Sequence, residues 1–325
     1  YQLYGNHDMD QMFERFAEVN YSWVFFSMFL SLLSHLSRAW RWTIMLKPLG
    51  HEPGPVKAYL AVMFGYLANL AFPRLGEVTR CGVMKRNDQV PMSVSFGSVI
   101  TERMIDFFIL LSLILLDFVI EFDKVFAFFI SSLKNGMVLL GMDPNVDYTW
   151  YIVVFGVVTV VGIALCTFLL KHLLTKEFEH PFLQKLHRIL QDIVNGLSSV
   201  KRVENKVGFV FSTIGIWVAY YLMSYVVFFA LGETSSLGFG AGLSILAAAG
   251  VAMAIPVQGG IGTYHTLISG VLIIYGIEST TSLFFATLLH TSQLIMIMAV
   301  GGVSVLVTAI IAKQRNGEQP TAVAE

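Results

Sequence analysis

The chain has 325 residues, of which 55% are hydrophobic and only 13% are charged. These proportions exclude an ordinary soluble domain, and a net charge of −1 disfavours nucleic acid as a partner. Several apolar runs reach the roughly 20 residues that a helix needs to cross a bilayer. We therefore predict an all-α integral membrane protein.

Residues 1–20 form an acidic stretch that has neither an initiator Met nor the basic start of a signal peptide. We interpret this stretch as an external amphipathic segment and expect a further span to precede it. The first clear span covers residues 21–46. Near its end, Arg38 and Arg41 stand beside two tryptophans, a pattern typical of an anchor at the cytoplasmic interface.

Further spans are predicted at 94–120, 150–170, 207–231 and 283–312. Lys and Arg concentrate in the connections at 38–57, 80–86 and 171–206 and in the tail at 313–325. Basic residues favour the cytoplasmic side of a membrane, so these connections are predicted to lie inside the cell and the others outside. We expect a multi-pass protein of the inner (cell) membrane with a cytoplasmic C-terminus.

Two apolar regions are too short and too interrupted to cross the membrane as single helices. Residues 56–90 break at Pro73, and residues 240–277 break at Pro256. Since the charge distribution puts both ends of each region on one side, each is predicted to be a re-entrant helical hairpin. Non-helical backbone at membrane depth must be covered by protein or line a wet cavity, so the two tips are expected to meet inside the protein.

The order span, hairpin, span occurs twice from opposite faces, in residues 21–120 and 207–312. This order predicts an inverted repeat, joined by a connecting transmembrane helix at 150–170, and paired interrupted segments of this kind indicate a transporter's midplane site. The intervening residues, 121–206, also hold an external segment and a predicted cytoplasmic amphipathic helix at 181–200. Within the external segment, residues 125–140 fit either a surface helix or an extra span.

Charged residues inside predicted spans are candidates for function, because charge is expensive in hydrocarbon. Glu102 and Asp106 are four residues apart and share a helix face, while Arg103 is placed to pair with Asp106. The alternative is a structural ion network or a helix end at the interface. The spacing alone does not separate these two interpretations.

The first hairpin tip adds four polar residues where backbone is already exposed: Asn69, Arg74, Glu77 and Arg80. Guanidinium groups bind phosphate bidentately, and the N-terminal end of a half-helix after Pro73 would favour an anion. We interpret the two arginines as candidate phosphate ligands. Alternatively, Arg80 belongs to a positively charged cytoplasmic anchor.

The second tip contains Gln258, Gly259, Gly260, Gly262 and Thr263. Its glycines permit a tight turn whose free amides, ahead of a helix that starts near Thr263, would form a neutral cradle for an anion or headgroup. A turn required by sterics alone is the competing interpretation.

Two histidines, His265 and His290, are placed to face one another or the cavity as proton carriers. Hydrogen-bonded packing histidines are the alternative.

Motifs of soluble enzymes, including nucleotide-binding loops, nucleophile elbows and paired-Cys metal patterns, do not occur in the sequence. We expect no cofactor, no metal and no catalytic residue.

Four motifs in order along the chain resemble the lysylphosphatidylglycerol synthase transmembrane (flippase-like) family. They are R-x-x-R-W from Arg38, N-x-x-x-P-R-x-G-E-x-x-R from Asn69, E-R-x-x-D from Glu102 and P-x-x-G-G-x-G from Pro256. The resemblance implies lipid translocation. In the bifunctional proteins an aminoacyl-transferase domain follows the membrane region; we expect no such domain and no lysine transfer here. Family members carry an acidic residue near the position of His265 and an arginine near that of His290, so headgroup charge preference is expected to differ.

The sequence therefore favours a flippase-like transporter over an enzyme. Its expected partner is a phospholipid or polyprenyl-phosphate lipid bound through a charged midplane cavity, and a homo-oligomer is compatible with the sequence. One alternative is a membrane-embedded transferase that uses a polyprenyl-phosphate-linked donor, with Glu102 or Asp106 as base. Another is a non-catalytic membrane subunit.

Overall fold

The computed structural model describes residues 9–139 and 202–318, and these residues form helices without any strand. The predicted connecting span at 150–170 and amphipathic helix at 181–200 lie outside the described residues. Described residues up to Phe128 and from Arg202 onward belong to one compact unit, whereas Phe129 begins a second unit of which only a helix end is described. The prediction of an all-α protein is confirmed for the described part of the chain.

Six helices cover the first described range: α1 Met9–Glu18, α2 Tyr21–Leu46, α3 Pro55–Ala71, α4 Leu75–Asp88, α5 Met92–Ile120 and α6 Phe122–Leu139. Four cover the second: α7 Lys206–Tyr225, α8 Phe239–Ala254, α9 Thr263–Ile274 and α10 Ser279–Glu318. A 3-10 turn, Val226–Ala230, extends α7. The segment around residues 125–140, left open by the sequence, is helical as far as the structure describes it.

Two of these helices are long and apolar enough to cross a membrane by length and composition, at Lys206–Ala230 and Ser279–Ile311. The predicted spans in α2 and α5 have 26 and 29 residues, which correspond to about 39 and 44 Å. In contrast, α3, α4, α8 and α9 have 17, 14, 16 and 12 residues. Each of these four is shorter than the roughly 30 Å of a hydrocarbon core.

The breaks after α3 and α8 follow from their prolines. A residue that precedes proline is driven out of the helical region, and Phe72 and Ile255 are both extended, with φ, ψ of −140°, 132° and −69°, 128°. A positive φ then reverses the chain, at Arg74 in the first break and at Gly259, Gly260 and Gly262 in the second. Each turn leads directly into another short helix, so each pair of helices forms a hairpin.

Helix α2 shows a polarity that is the reverse of a soluble protein's. Its outward face is apolar, with Phe25, Phe29 and Leu36 about half or more exposed. Its buried residues include, beside apolar ones, six polar or charged side chains: Ser27, Ser31, Ser34, His35, Arg38 and Arg41. An apolar exterior around a polar interior is what a lipid environment selects.

The helices pack in matching pairs. Within the hairpins α3 packs on α4 and α8 on α9, while α2 packs on α7. Across the two halves, α10 packs on α3 and α5 packs on α8. The first hairpin is tight because Gly65 and Gly76 meet; a Cβ at Gly65 would lie 2.7 Å from the Gly76 carbonyl oxygen. Helix α4 also packs on α5, where the charged residues lie.

Candidate functional site

Seven charged side chains from three helices meet in the interior, and we call them the arginine cluster. They are Arg38 and Arg41 on α2, Glu77 and Arg80 on α4, and Glu102, Arg103 and Asp106 on α5. The prediction had Arg38 and Arg41 as an interfacial anchor, and this is wrong. Both are buried, at 2% and 0% exposure, because the polar face of α2 points inward and not to a membrane surface.

Glu102 is the centre of the cluster. Its side chain is fully buried and lies within 4.0 Å of four guanidinium groups. Arg38 Nη1 donates a hydrogen bond to Oε1, and Arg80 Nη2 donates to Oε2 at 2.9 Å. Arg41 Nη2 lies 3.5 Å from Oε1. One carboxylate therefore ties α2, α4 and α5 together.

Asp106 binds arginines from α2 and not its helix neighbour. Arg38 Nη1 donates to Oδ2 and Arg41 Nη2 donates to Oδ1, both at 2.8 Å. The predicted Arg103 to Asp106 pair is not formed. Arg103 lies beside Glu77 instead, with 3.6 Å between Nε and Oε1, because the first hairpin supplies a carboxylate on the side of α5 that Arg103 faces.

The cluster contains more cationic groups than anionic groups. Four arginines against three carboxylates give a formal charge of +1. Several buried donors, Nε of Arg38, Nε and Nη1 of Arg41 and Nε of Arg80, have no hydrogen-bond partner among the described residues. Excess positive charge and unused N–H groups in one place are features of a site for an anion.

Aromatic and polar side chains surround the cluster. The Arg80 guanidinium carbon lies 4.8 Å from the centre of the Trp42 ring. Arg38 Nη2 donates to the Tyr220 hydroxyl at 3.1 Å, and this hydroxyl lies 3.5 Å from that of Tyr66. The Tyr66 ring in turn lies 4.4 Å from the ring of His35, one helical turn from Arg38. The polar region thus extends along α2 beyond the charges.

The two arginines of the first tip are in different places. Arg80 is buried in the cluster, whereas Arg74 is exposed at the turn and its Nη2 donates to the Ala254 carbonyl at 2.9 Å. Asn69 Oδ1 accepts a hydrogen bond from Gly76 N at 2.6 Å, so this residue fastens the hairpin. The predicted joint phosphate site of Arg74 and Arg80 is therefore not formed by these two side chains.

The turns at Pro73 and Pro256 contact each other, as the sequence predicts. Gln258 Nε2 donates to the Leu70 and Ala71 carbonyls, at 3.2 and 3.0 Å, and Arg74 reaches back to Ala254. Each turn thus caps the last carbonyls of the opposite short helix, which helix geometry leaves unsatisfied. Pro73, Arg74 and Gln258 are exposed, so the contact lies at a surface of the described residues and not in a closed core.

The glycine turn adopts the backbone that the sequence predicts, and α9 begins at Thr263. Gly259, Gly260 and Gly262 have φ of 59°, 72° and 89°, a region that disfavours side chains. Thr263 Oγ1 donates to the Gly260 carbonyl at 3.1 Å, and Gly262 N donates to His265 Nδ1 at 3.3 Å. Part of the predicted amide cradle is therefore used by His265.

His265 and His290 do face one another, with 4.9 Å between their ring centres. Tyr264 stacks on His290 at 4.6 Å, and His290 Nε2 lies 2.9 Å from the Gly259 carbonyl oxygen. The last long helix therefore holds the glycine turn through His290. Among the described residues, no three His, Cys, Asp or Glu side chains are grouped so that they could hold a metal ion.

Sequence reasoning missed Arg38 and Arg41 as site residues. A signal was present: Ser27, Ser31, Ser34, His35, Arg38 and Arg41 recur on one helical face within an otherwise apolar segment. A polar stripe that includes two arginines indicates an interior partner of opposite charge.

Comparison with known proteins agrees with this architecture. An archaeal protein described as UPF0104 membrane protein MJ1595, from Methanocaldococcus jannaschii, is 22% identical over 246 residues, which cover 67% of each chain. No solved structure matches the chain. The family model for the lysylphosphatidylglycerol synthase TM region matches residues 2–301. The chain therefore belongs to the lysylphosphatidylglycerol synthase TM region family.

Proposed function

We propose that this protein moves a lipid with a phosphate-bearing headgroup, of the phospholipid or polyprenyl-phosphate type, between the two leaflets of a membrane. The observation that carries the proposal is the arginine cluster, with a formal charge of +1 and unused N–H donors inside an apolar chain. A phosphate monoanion would neutralise this charge and accept those hydrogen bonds. The Arg103 side chain is 39% exposed, so a lipid headgroup that enters the protein contacts Arg103 before the other cluster arginines.

The packing of the helices supports an inverted repeat with two re-entrant hairpins. If α2, α3, α4 and α5 correspond to α7, α8, α9 and α10, the contacts occur in reciprocal pairs. Helix α5 packs on α8, and its counterpart α10 packs on α3. The four hairpin helices are each too short to span, so hairpins that enter and leave on one side are the arrangement that we propose.

The contact between the two turns supports a barrier that separates the leaflets. In the described part of the chain, three side-chain hydrogen bonds, from Gln258 and Arg74, join the turns. Non-helical backbone in a membrane is tolerated where it lines a cavity. In our proposal the exposed turns line the headgroup's path, and these bonds break as a headgroup passes. The protein lies in the inner membrane with its C-terminus in the cytoplasm.

Leaflet exchange of a fluorescent phospholipid in proteoliposomes tests the proposal. Arg80→Met and Arg103→Gln each remove one cluster cation, and we expect exchange to fall by about tenfold or more, the loss of one charge-assisted hydrogen bond to phosphate. Arg86→Ala, an exposed position on the same helix as Arg80, is the matched control and should exchange as the wild type does.

Folding is checked by monodisperse elution in detergent. Arg103→Gln is the more informative variant. Its side chain is the least buried of the four cluster arginines, so its loss should disturb folding least. Exchange at the wild-type rate in both folded variants would remove the arginine cluster as the lipid site. Accessibility of a C-terminal tag from one side of oriented vesicles checks the orientation.

A further inference from the structure

A further buried carboxylate lies on α5, away from the arginine cluster. Asp117 is 4% exposed, and its Oδ1 accepts a hydrogen bond from Ser244 Oγ of α8 at 2.8 Å. Ser244 Oγ also lies 2.9 Å from the hydroxyl of Tyr275, which follows α9. Either oxygen can be the donor in this second bond, and the Tyr275 hydroxyl is also hydrogen-bonded to the Glu121 side chain. The three groups form a hydroxyl relay that ends on the carboxylate.

The charged groups around the relay are already paired. Lys124 of α6 binds Glu121 with 2.6 Å between Nζ and Oε2, and Nζ lies 4.3 Å from the centre of the Tyr275 ring. Glu121 also abuts the first turn of α8, since a Cβ at Gly240 would lie 2.5 Å from its carboxyl carbon. The positive N-terminal end of α8 favours that charge. Neither α8 nor α9 carries a charged residue.

Asp117 therefore has no cationic partner among the described residues. It borders a cavity of about 140 Å³ that Lys124, paired with Glu121, also lines and whose remaining lining is largely apolar, with Ile114, Val251 and Leu267. An apolar cavity of this size offers an ionised carboxylate little water, and an uncompensated charge there is strongly disfavoured. The neutral acid suits this environment, and the carboxylate suits it only while a nearby cation compensates it.

We infer that Asp117 is a proton-binding site, loaded through Tyr275 and Ser244, and that its protonation is coupled to movement of the second hairpin. A proton from solvent is taken up at the Tyr275 oxygen as this hydroxyl passes its own proton to Ser244. Ser244 passes its proton to the Asp117 carboxylate, which becomes the neutral acid. Release runs the same steps in reverse, so no other reactant is needed.

The coupling follows from where the three groups lie. Asp117 is on α5, whereas Ser244 and Tyr275 are on the two sides of the second hairpin. In the ionised state, Asp117 places an uncompensated charge at the contact between α5 and α8, and Glu121, one helical turn away, repels it. Protonation removes this charge and favours close packing of α5 on α8. This inference rests on the proposed lipid transport for its coupling, but not for the proton site itself.

Infrared spectroscopy of the purified full chain tests the proton site directly. The other Asp and Glu side chains also give such bands at low pH, so the spectrum of Asp117→Asn is subtracted from that of the wild type. The difference should contain a carbonyl band of a protonated carboxylic acid at low pH that disappears as the pH rises. Ser244→Ala should shift the pH at which the band disappears. Ser112→Ala, an exposed serine on α5 that binds its own helix, is the matched control and should leave the band unchanged. The absence of a band from the difference spectrum, or a difference band that does not change with pH, overturns the proton site.

Proteoliposomes with an internal pH-sensitive dye test the coupling. We expect wild-type lipid exchange to be accompanied by proton movement, and Asp117→Asn to lose the proton movement. Lipid exchange without proton movement in the wild type overturns the coupling and leaves the lipid proposal intact. A titrating band in a protein that exchanges no lipid upholds the proton site and removes the proposed lipid transport.

Discussion

Two carboxylates on the same helix are buried in opposite ways. Glu102 and Asp117 are 15 residues apart in α5, about 22 Å along its axis. Glu102 has four guanidinium groups within 4.0 Å, whereas Asp117 has hydroxyl groups and an apolar cavity. Nearby guanidinium groups keep a carboxylate ionised, whereas hydroxyl groups allow it to be either ionised or protonated. Burial alone therefore does not define the role of an acidic residue in this protein.

The largest loss of stability should come from Glu102→Gln, which removes the carboxylate that the arginines surround. The substitution leaves four arginines against two carboxylates in the interior. Removing one partner of a buried ion network destabilises by about 3–5 kcal/mol. Thermal unfolding in detergent measures the loss. Glu52→Gln is the control, because the Glu52 side chain is 71% exposed and pairs with the exposed Lys47 at 3.4 Å. Equal unfolding temperatures for the two variants would show that Glu102 does not hold the cluster together.

A smaller loss of stability is expected for Arg80→Met, which removes one cation from the cluster and keeps the Glu102 carboxylate. Glu102 retains Arg38 and Arg41, and the methionine keeps an apolar contact with Trp42. We expect a destabilisation of about 1–3 kcal/mol, the worth of one charge-assisted hydrogen bond. The same unfolding assay measures it. A loss as large as that of Glu102→Gln would mean that the cluster fails as soon as any member is removed.

Glu278, in the turn that precedes α10, is stabilised in a third way, by backbone N–H groups. Its two oxygens accept from Thr280 N and Thr281 N, both at 2.8 Å. Partial burial works to raise the pKa of Glu278, but these hydrogen bonds outweigh it and lower the pKa to about 2 from an ordinary 4.5. A depressed pKa means stability that is present above pH 4.5 and is lost as the pH falls towards 2.

Because Glu278 is exposed, solvent screening limits this contribution to about 0.5–1 kcal/mol. The difference in unfolding free energy between wild type and Glu278→Gln should therefore shrink between pH 4.5 and pH 2. A difference that stays constant across this window contradicts the assignment.

The smallest effect on stability is expected for Asp117→Asn, which changes the carboxylate that is bound by a hydroxyl group. The amide oxygen still accepts from Ser244, and no cation loses its partner, since Lys124 stays with Glu121. We expect a change below about 0.5 kcal/mol. Thermal unfolding in detergent again gives the value. A loss comparable to that of Glu102→Gln would show that Asp117 is held as a fixed charge, against the proton site inferred above.

Local features of the sequence predicted much of the fold. The prolines at 73 and 256 end α3 and α8 through the steric restriction on the preceding residue, and the glycines after Pro256 supply the positive φ that the second turn needs. The backbone of the first turn was not predictable from the sequence, because its positive φ falls on Arg74, and residues other than glycine rarely adopt a positive φ. Helix α9 starts at Thr263 as predicted.

The ion pairs between residues that are distant in the chain could not be predicted from the sequence. The spacing of Glu102 and Asp106 correctly placed both on one helix face, but the same local rule assigned Asp106 to Arg103. Arg38 and Arg41, more than 60 residues away in the chain, occupy that position instead. Helix spacing identifies which residues share a face and carries no information on what that face meets.

By itself the sequence determined the class of protein, the helices and their breaks, and which residues are polar in an apolar setting, because these depend on composition and on contacts within a few residues. Only the tertiary structure decided that the polar face of α2 turns inward, that the two turns cap each other, and that one acidic residue of α5 meets arginines while another meets hydroxyl groups. Charge neutralisation in a low-dielectric interior depends on distances between groups that are remote in the chain, and those distances exist only once the helices have packed.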